Sequence, residues 1–587
     1  MQAIKVSEYI CKRLLYNGYK HVFGLTGGGI ARMFDSATTV GLKPVYTLHE
    51  QGGALAAVAY SMLTSGKGLC FVTTGPGGTN AITGLLGAYQ DSTPVLFISG
   101  QARANQMAYN RGIRQGAVQD FPILDAVDCM CNYSSIILDA SSTPTIMETT
   151  TRRMNNGRPG PGWIDIPVDV QWGNITDAEP ETILPTYNYE RGTIPDIDEL
   201  ECAIERSERP LILAGYGIRL ADYGHLLERL VRNNHIPVVT TWNTMDMLDS
   251  DIPEYLGVVG TMGGRRGANK AMCECDLLIA IGSRLPVTVT GNLEKPFTDN
   301  TTVVMVDIDG NEHRYRDSIV DIHVYCDLRD FMLTIDDKLR PTTQEWRNQV
   351  QQYKLLNSVY NDHKPNSEYV NPYIWADYMS TIMDMSDTVV IDGGGSILSV
   401  AYNALNLRGQ RAINCSGMAC MGTGIPMGIG ASVATGNRAI VMCGDGSFML
   451  NVQELATIAG YNLPVKIFVM NNRGYLAIRN TQDMYYGNRH CGSSQGGGLH
   501  LPDLVRIVDS YDIQVEVADN NYDMEAPIRR TMECDGPAAC ILNIDPEQAI
   551  VPTPAVGYNS DGTTYQLPLS VMTSSAIPVP DGKEYER

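Results

Sequence analysis

The strongest chemical signal in the chain is the run GDGSFMLNVQELATIAGYNLPVKIFVMNN, residues 444–472. An apolar strand ends at Gly444-Asp445-Gly446, a helical pattern follows, and a second apolar strand ends at Asn471-Asn472. In a parallel sheet both strand ends emerge at the carboxyl edge, where such sheets bind ligands, so Asp445 and Asn472 are expected to meet there. A carboxylate, an amide oxygen and a backbone carbonyl from Gly474 supply three hard oxygens, a set that suits Mg²⁺ and leaves positions for phosphate and water. Gly446 and Ser447 fall at the helix N-terminus, where N–H groups and the helix dipole favour a phosphate. Gly-Asp-Gly alone is an ordinary turn and Asn-Asn an ordinary loop. Together, each at a strand end, they describe a metal–diphosphate site. Glu50 is another carboxylate at a strand end, between PVYTLH (44–49) and a small-residue helix opening at Gln51-Gly52-Gly53. Taken by itself it is an acid that favours a helix dipole.

These residues must be carried by sheets. Short apolar runs alternate with helical patterns along most of the chain, the signature of α/β domains with parallel strands. Strands are expected at 21–25, 44–49, 68–74, 94–99 and 162–167; at 210–217, 236–241, 276–283 and 302–309; and at 387–394, 439–446, 465–472 and 539–545. The fold class is therefore α/β, with three consecutive doubly wound parallel-sheet domains over 1–175, 196–340 and 366–552 and a tail over 553–587. The polar, Pro-containing stretch 177–196 reads as a linker, residues 341–365 as a polar helical connection, and no short internal repeat is visible.

Composition narrows the function. The 587 residues carry 44 Lys and Arg against 65 Asp and Glu, a formal charge of −21, which argues against nucleic acid and against an anionic membrane surface. The 14 cysteines include no C-x-x-C; the pairs Cys129/Cys131 and Cys273/Cys275 read as small core residues, and so many unpaired thiols suit a reducing cytoplasm. The uncharged stretch 412–437 is long enough to span a bilayer, but its glycines and Pro426 read as a buried loop and helix of a soluble protein. The N-terminal segment carries charges throughout and reads as an amphipathic helix rather than a signal peptide.

The 444–472 segment resembles the diphosphate motif of the thiamine diphosphate enzymes, and the chain from about residue 5 to 552 resembles the acetolactate synthases. The likeness includes HEQGGALAAVAY (49–60), TTGPGGTNAITGL (73–85), PVLFISGQ (94–101), GRPGPGWIDIPVDV (157–170), CDLLIAIGSR (275–284), VDID (306–309) and GTGIPMGIGA (422–431). The resemblance implies an N-terminal pyrimidine-binding, a central and a C-terminal diphosphate-binding domain. It implies that Glu50 hydrogen-bonds the cofactor's aminopyrimidine, so that the cofactor acts as its own base. It also implies that Met421 props the cofactor in a bent form, that Gly27 and Gly28 bring backbone to the reacting centre, and that Gln119 faces the substrate; His49 reads as structural. The middle domain resembles the flavin-binding domain of these enzymes, with Gly215, Gly217, Arg284, Asp307 and Asp327 at the corresponding strand ends. Many relatives keep that domain without flavin, so FAD stays open.

The implied activity is decarboxylation of a 2-keto acid, with pyruvate as the donor, and ligation of the two-carbon unit to a keto acceptor. A homodimer or homotetramer is implied, with Glu50 and Asp445 of one site coming from different subunits and the segments 70–90 and 412–437 as candidate interfaces. Three departures bear on the acceptor. Ser396-Ile397 stand where the family has a diphosphate-binding Gln-His pair, Thr481 replaces a pocket tryptophan, and Val118 replaces a phenylalanine. A serine hydroxyl still donates to phosphate, while the two smaller residues admit either simple repacking or an acceptor larger or more polar than 2-ketobutyrate. The alternatives are transfer to a 4-keto sugar nucleotide, a flavin-linked pyruvate oxidase, and a non-catalytic cofactor-binding homologue.

Overall fold

The computed structural model describes residues 3–109, 111–176, 197–291, 300–558 and 564–573; the expected linker at 177–196 lies outside them. Three six-stranded sheets, all parallel, follow one another along the chain. Numbering strands within each sheet, the first and third share the spatial order 2-1-3-4-6-5, while the central sheet runs 3-2-1-4-5-6. The latter is the dinucleotide-binding order, whose switch point lies between its first and fourth strands. These are Pro210–Ala214 and Leu277–Ile281.

Each expected strand is present. The structure adds Tyr133–Ile136, Tyr255–Val258, Ile322–Tyr325, Arg411–Ile413 and Gln514–Ala518, every one of them a sheet edge. The helix Gln344–Leu355 packs its buried Trp346 and Tyr353 into the central domain's core. The C-terminal segment returns to the same place, with Leu569 fully buried in that core and Arg266 donating to the carbonyls of Met572 and Thr573.

In the first and third sheets the second strand crosses to the third through one helix: Glu50–Leu63 in the first and Gly424–Thr435 in the third. These two topologically equivalent helices pack on each other. They approach closely because their facing residues are small: a side chain on Gly430 would overlap the Ala56 carbonyl. Both helices lie in one shared hydrophobic core. Most of the residues of 70–90 and 412–437 are buried within the chain. Among the described residues no helix is long and apolar enough to cross a membrane. All 14 cysteines are free; Cys275 is buried in a core and the half-buried Cys131 and Cys273 pack against one, while Cys129 is exposed, so three of the four pack with the core as expected.

Candidate active site

The strand Ala439–Gly444 delivers Asp445 to the start of a short helix, and the strand Val465–Asn471 delivers Asn472 beside it. Asp445 is buried, accepting N–H bonds from Gly446 at 2.7 Å and from Gly474 at 2.9 Å, so the turn after the second strand is tied to the end of the first. Burial pushes the Asp445 carboxyl up to about 6, against those N–H groups. Asn472 is also buried, and its Oδ1 has no hydrogen-bond partner. A buried acceptor left alone is costly, and a hard cation answers both observations by satisfying the amide oxygen and neutralising the carboxyl. Among the described residues no three His, Cys, Asp or Glu are placed to hold a metal. The oxygens the structure offers a cation here are the Asp445 carboxylate and the Asn472 amide oxygen.

Ser447 turns its hydroxyl toward the buried Asp392, whose carboxyl is pushed up to about 6 by burial. Gly446 is required sterically, since the Tyr475 ring occupies the place of its side chain. Ser396 and Asn472 line one small cleft with Tyr373, Met470 and Leu476, so the serine that departs from the expected pair shares a cleft with Asn472. Met421 is half-buried in the turn before the Gly424 helix.

A second cluster forms on the first domain around Thr73–Gly78. Gly27 lies against the Thr73 side chain, the backbone of Gln119 fills the side-chain position of Gly75, and Gly77 lies beside the Glu50 carboxylate. This turn brings Gly27, Gln119 and Glu50 together. A side chain on Gly28 would meet nothing within 4 Å, so that face is open. Gln119 is exposed and adopts φ 62°, held by Asp120, which accepts N–H bonds from Ala108 and Gly116. Glu50 is buried at the first turn of its helix and accepts from Asn80 Nδ2 at 3.0 Å. His49 is the helix N-cap, accepting from Gln51 N–H through Nδ1, which is the structural role expected of it.

No hydrogen bond among the described residues joins the Glu50 cluster to the Asp445 cluster. Sequence reasoning missed three residues that support them: Asn80, Glu454 and Asp91. Glu454 is fully buried and reaches from the third domain to the N–H groups of Leu48 and His49. Asp91 reaches from the first domain to Ser416 and Gly417. No local signal marks partners so distant in sequence.

At the carboxyl edge of the central sheet a pocket is walled by all three domains, including Asp91, Arg158, Gly217, Arg284, Asp307, Asp327 and Ser416. Four of the five expected flavin-site residues line it. Gly215 stands behind the wall, because a side chain there would strike the Gly282 carbonyl; loop packing accounts for that glycine. Asp91 Oδ2, Trp242 Nε1 and Asn243 Oδ1 line the pocket without partners, which fits a polar occupant. Asp327 is paired with Arg329, and burial pushes Asp307 upward. Val118 is 87% exposed, and Thr481 is exposed with its hydroxyl on the Ala477 carbonyl.

Comparison with known proteins agrees with this arrangement. Residues 4–126 match the thiamine pyrophosphate enzyme N-terminal TPP binding domain, 197–335 the central domain and 392–542 the C-terminal TPP binding domain. The chain is 29% identical over 554 residues to the acetolactate synthase isozyme 2 large subunit of Escherichia coli K12, covering 93% of this chain and 96% of that protein. It is 30% identical over 573 residues to a probable acetolactate synthase large subunit of Methanococcus aeolicus, covering 93% of each. To the acetolactate synthase large subunit of Pyropia yezoensis it is 29% identical over 558 residues, covering 93% and 92%.

Proposed function

Because the chain belongs to the thiamine pyrophosphate enzymes, as an acetolactate synthase-like member, we propose that it uses thiamine diphosphate and Mg²⁺ to decarboxylate pyruvate and join the two-carbon unit to a keto acceptor. The carrying observation is the unpartnered, buried Asn472 Oδ1 beside Asp445 at the tied strand ends. When bound, thiamine diphosphate supplies a nucleophilic carbon and the electron sink for decarboxylation.

The chain's own residues bind and orient. Asp445, Asn472 and the Gly474 carbonyl hold Mg²⁺, and Gly446, Ser447 and Ser396 face the diphosphate. Glu50 holds a proton at the aminopyrimidine ring nitrogen, with Asn80 fixing its carboxylate. Met421, in the turn before the Gly424 helix, would border the bound cofactor. Gly27, Gly28 and Gln119 border the reacting centre, where the open face at Gly28 admits substrate. As the resemblance to the acetolactate synthases implies, Glu50 and Asp445 of one site come from two copies of the chain, making a dimer the minimum assembly. The free thiols suit a cytoplasmic setting.

A second reading concerns the acceptor. Val118 and Thr481, smaller than the residues the acetolactate synthases carry there and both exposed, leave room for a bulky or polar ketone such as a 4-keto sugar nucleotide. The central pocket accepts a nucleotide, FAD first, through Gly217, Arg284, Asp307 and Asp327; visible flavin absorbance of the purified protein tests this. The test of the main reading is incubation with pyruvate, thiamine diphosphate and Mg²⁺, following CO₂ and products by NMR, with EDTA as the control. Acetolactate supports a second pyruvate as acceptor. CO₂ without acetolactate directs the search to larger ketones, and no pyruvate consumption refutes the donor.

A further inference from the structure

We propose that Glu454 and Asp91 are a reciprocal pair of positioning residues, each reaching from its own domain to hold the backbone that leads into the other domain's crossover helix, and so placing Glu50 and the Met421 turn. Glu454 accepts from Leu48 N–H at 3.2 Å and His49 N–H at 3.1 Å, and from the Thr457 hydroxyl at 2.7 Å. Those two N–H groups immediately precede Glu50. Gly52 leaves the space this requires, since a side chain there would overlap the Glu454 carboxylate. In the opposite direction Asp91 Oδ1 accepts from the Ser416 hydroxyl and the Gly417 N–H, both at 2.9 Å, on the turn that leads to Met421 and the Gly424 helix. Both carboxylates are buried, Asp91 at 6% and Glu454 at 0% exposure.

The crossing is symmetric because the two helices are topologically equivalent and pack face to face. Bonds from backbone N–H groups to a carboxylate are directional, so they orient the two approach loops in a way the non-directional apolar contact between the helices does not. The roles of Glu50 and Met421 rest on the proposed function. The clamp adds what holds those residues in register.

The test reads cofactor affinity without substrate, by titrating the full-length protein with thiamine diphosphate at saturating Mg²⁺ in a calorimeter, at a temperature where far-UV circular dichroism shows each variant folded. Glu454→Ala and Asp91→Ala are expected to weaken binding about tenfold to a hundredfold each. Glu454→Gln and Asp91→Asn keep an acceptor oxygen and should restore most of it. Lower melting temperatures with unchanged affinity would make the residues mere interdomain glue and overturn the proposal. Should an alanine variant fail to fold, Thr457→Ala decides: it loosens the Glu454 carboxylate without removing it, and unchanged affinity would overturn the clamp. A wild-type chain that binds no thiamine diphosphate overturns the functional reading and the clamp with it; wild-type binding with unaffected variants overturns the clamp alone.

Discussion

Replacing Gly430 by alanine sets two physical effects against each other. In a helix interior the change is worth about 0.8–1.0 kcal/mol of stabilisation from propensity alone. The structure gives the opposite sign. A Cβ at this position would lie 2.8 Å from the Ala56 carbonyl carbon and closer still to its oxygen. Ordinary carbon contacts need about 3.5 Å or more, so the helices must part by about 1 Å. Overpacking of this kind costs about 1–3 kcal/mol. The Glu454 bonds to Leu48 and His49, already 3.1–3.3 Å long, would stretch beyond hydrogen-bonding range and remove about a further 1.5–3 kcal/mol. The net expectation is about 1.5–5 kcal/mol of destabilisation. Gly460→Ala is the control, because a side chain there meets nothing within 4 Å and should be neutral or stabilising. The assay is urea unfolding followed by tryptophan fluorescence, compared as midpoint shifts because a three-domain chain is not a two-state system. Raised midpoints in both variants would show that propensity decides and that the helix contact is loose.

Leu569→Ala should lower the stability of the central domain by about 2–5 kcal/mol, seen as an earlier thermal transition; an unchanged melting curve would mean the C-terminal segment is not part of that core. Glu50→Gln should cut CO₂ release from pyruvate by about 10²- to 10⁴-fold while leaving Mg²⁺ affinity intact, and full activity would remove Glu50 from the mechanism. Asp165, buried between Ser99 and Gln101, is pushed by that burial from 3.8 up to about 7. Between about pH 4 and 7 the folded chain keeps a proton the unfolded chain has lost, so the Asp165 contribution makes stability fall as pH rises through that window. Asp165→Asn should flatten the pH dependence of the urea midpoint there, and identical slopes would contradict the shifted carboxyl.

Three of the five sheet strands that sequence patterning misses share a physical reason, which does not extend to the largely buried Tyr255–Val258 and Arg411–Ile413. Tyr133–Ile136, Ile322–Tyr325 and Gln514–Ala518 are edge strands, half-buried or exposed along much of their length, so they lack the continuous apolar run of a strand covered on both faces. Leu277–Ile281, wholly buried, is legible for the opposite reason. The same divide holds at the site. Asp445, Asn472 and Gly474 lie on successive strand ends of one sheet, and their spacing alone predicts that they meet. Glu454 meets Leu48 across 406 positions, and only the packing of two domains reveals it. The repeated sheet order is equally hidden, because topology is kept by which faces are buried and not by which residues bury them.

The face-to-face packing of the two crossover helices also limits how such a chain can be recombined. Gly430 is accommodated by Ala56, and Gly84 by Ala54, where a side chain on either glycine would overlap the facing residue. Each member of these pairs lies in a different element, and the first pair spans the N-terminal and C-terminal thirds of the chain. A chimera that takes its first domain from one parent and its third from another inherits one side of that contact without the other. Crossovers within the central domain are therefore the ones to avoid, unless the Glu50 and Gly424 helices are transferred together.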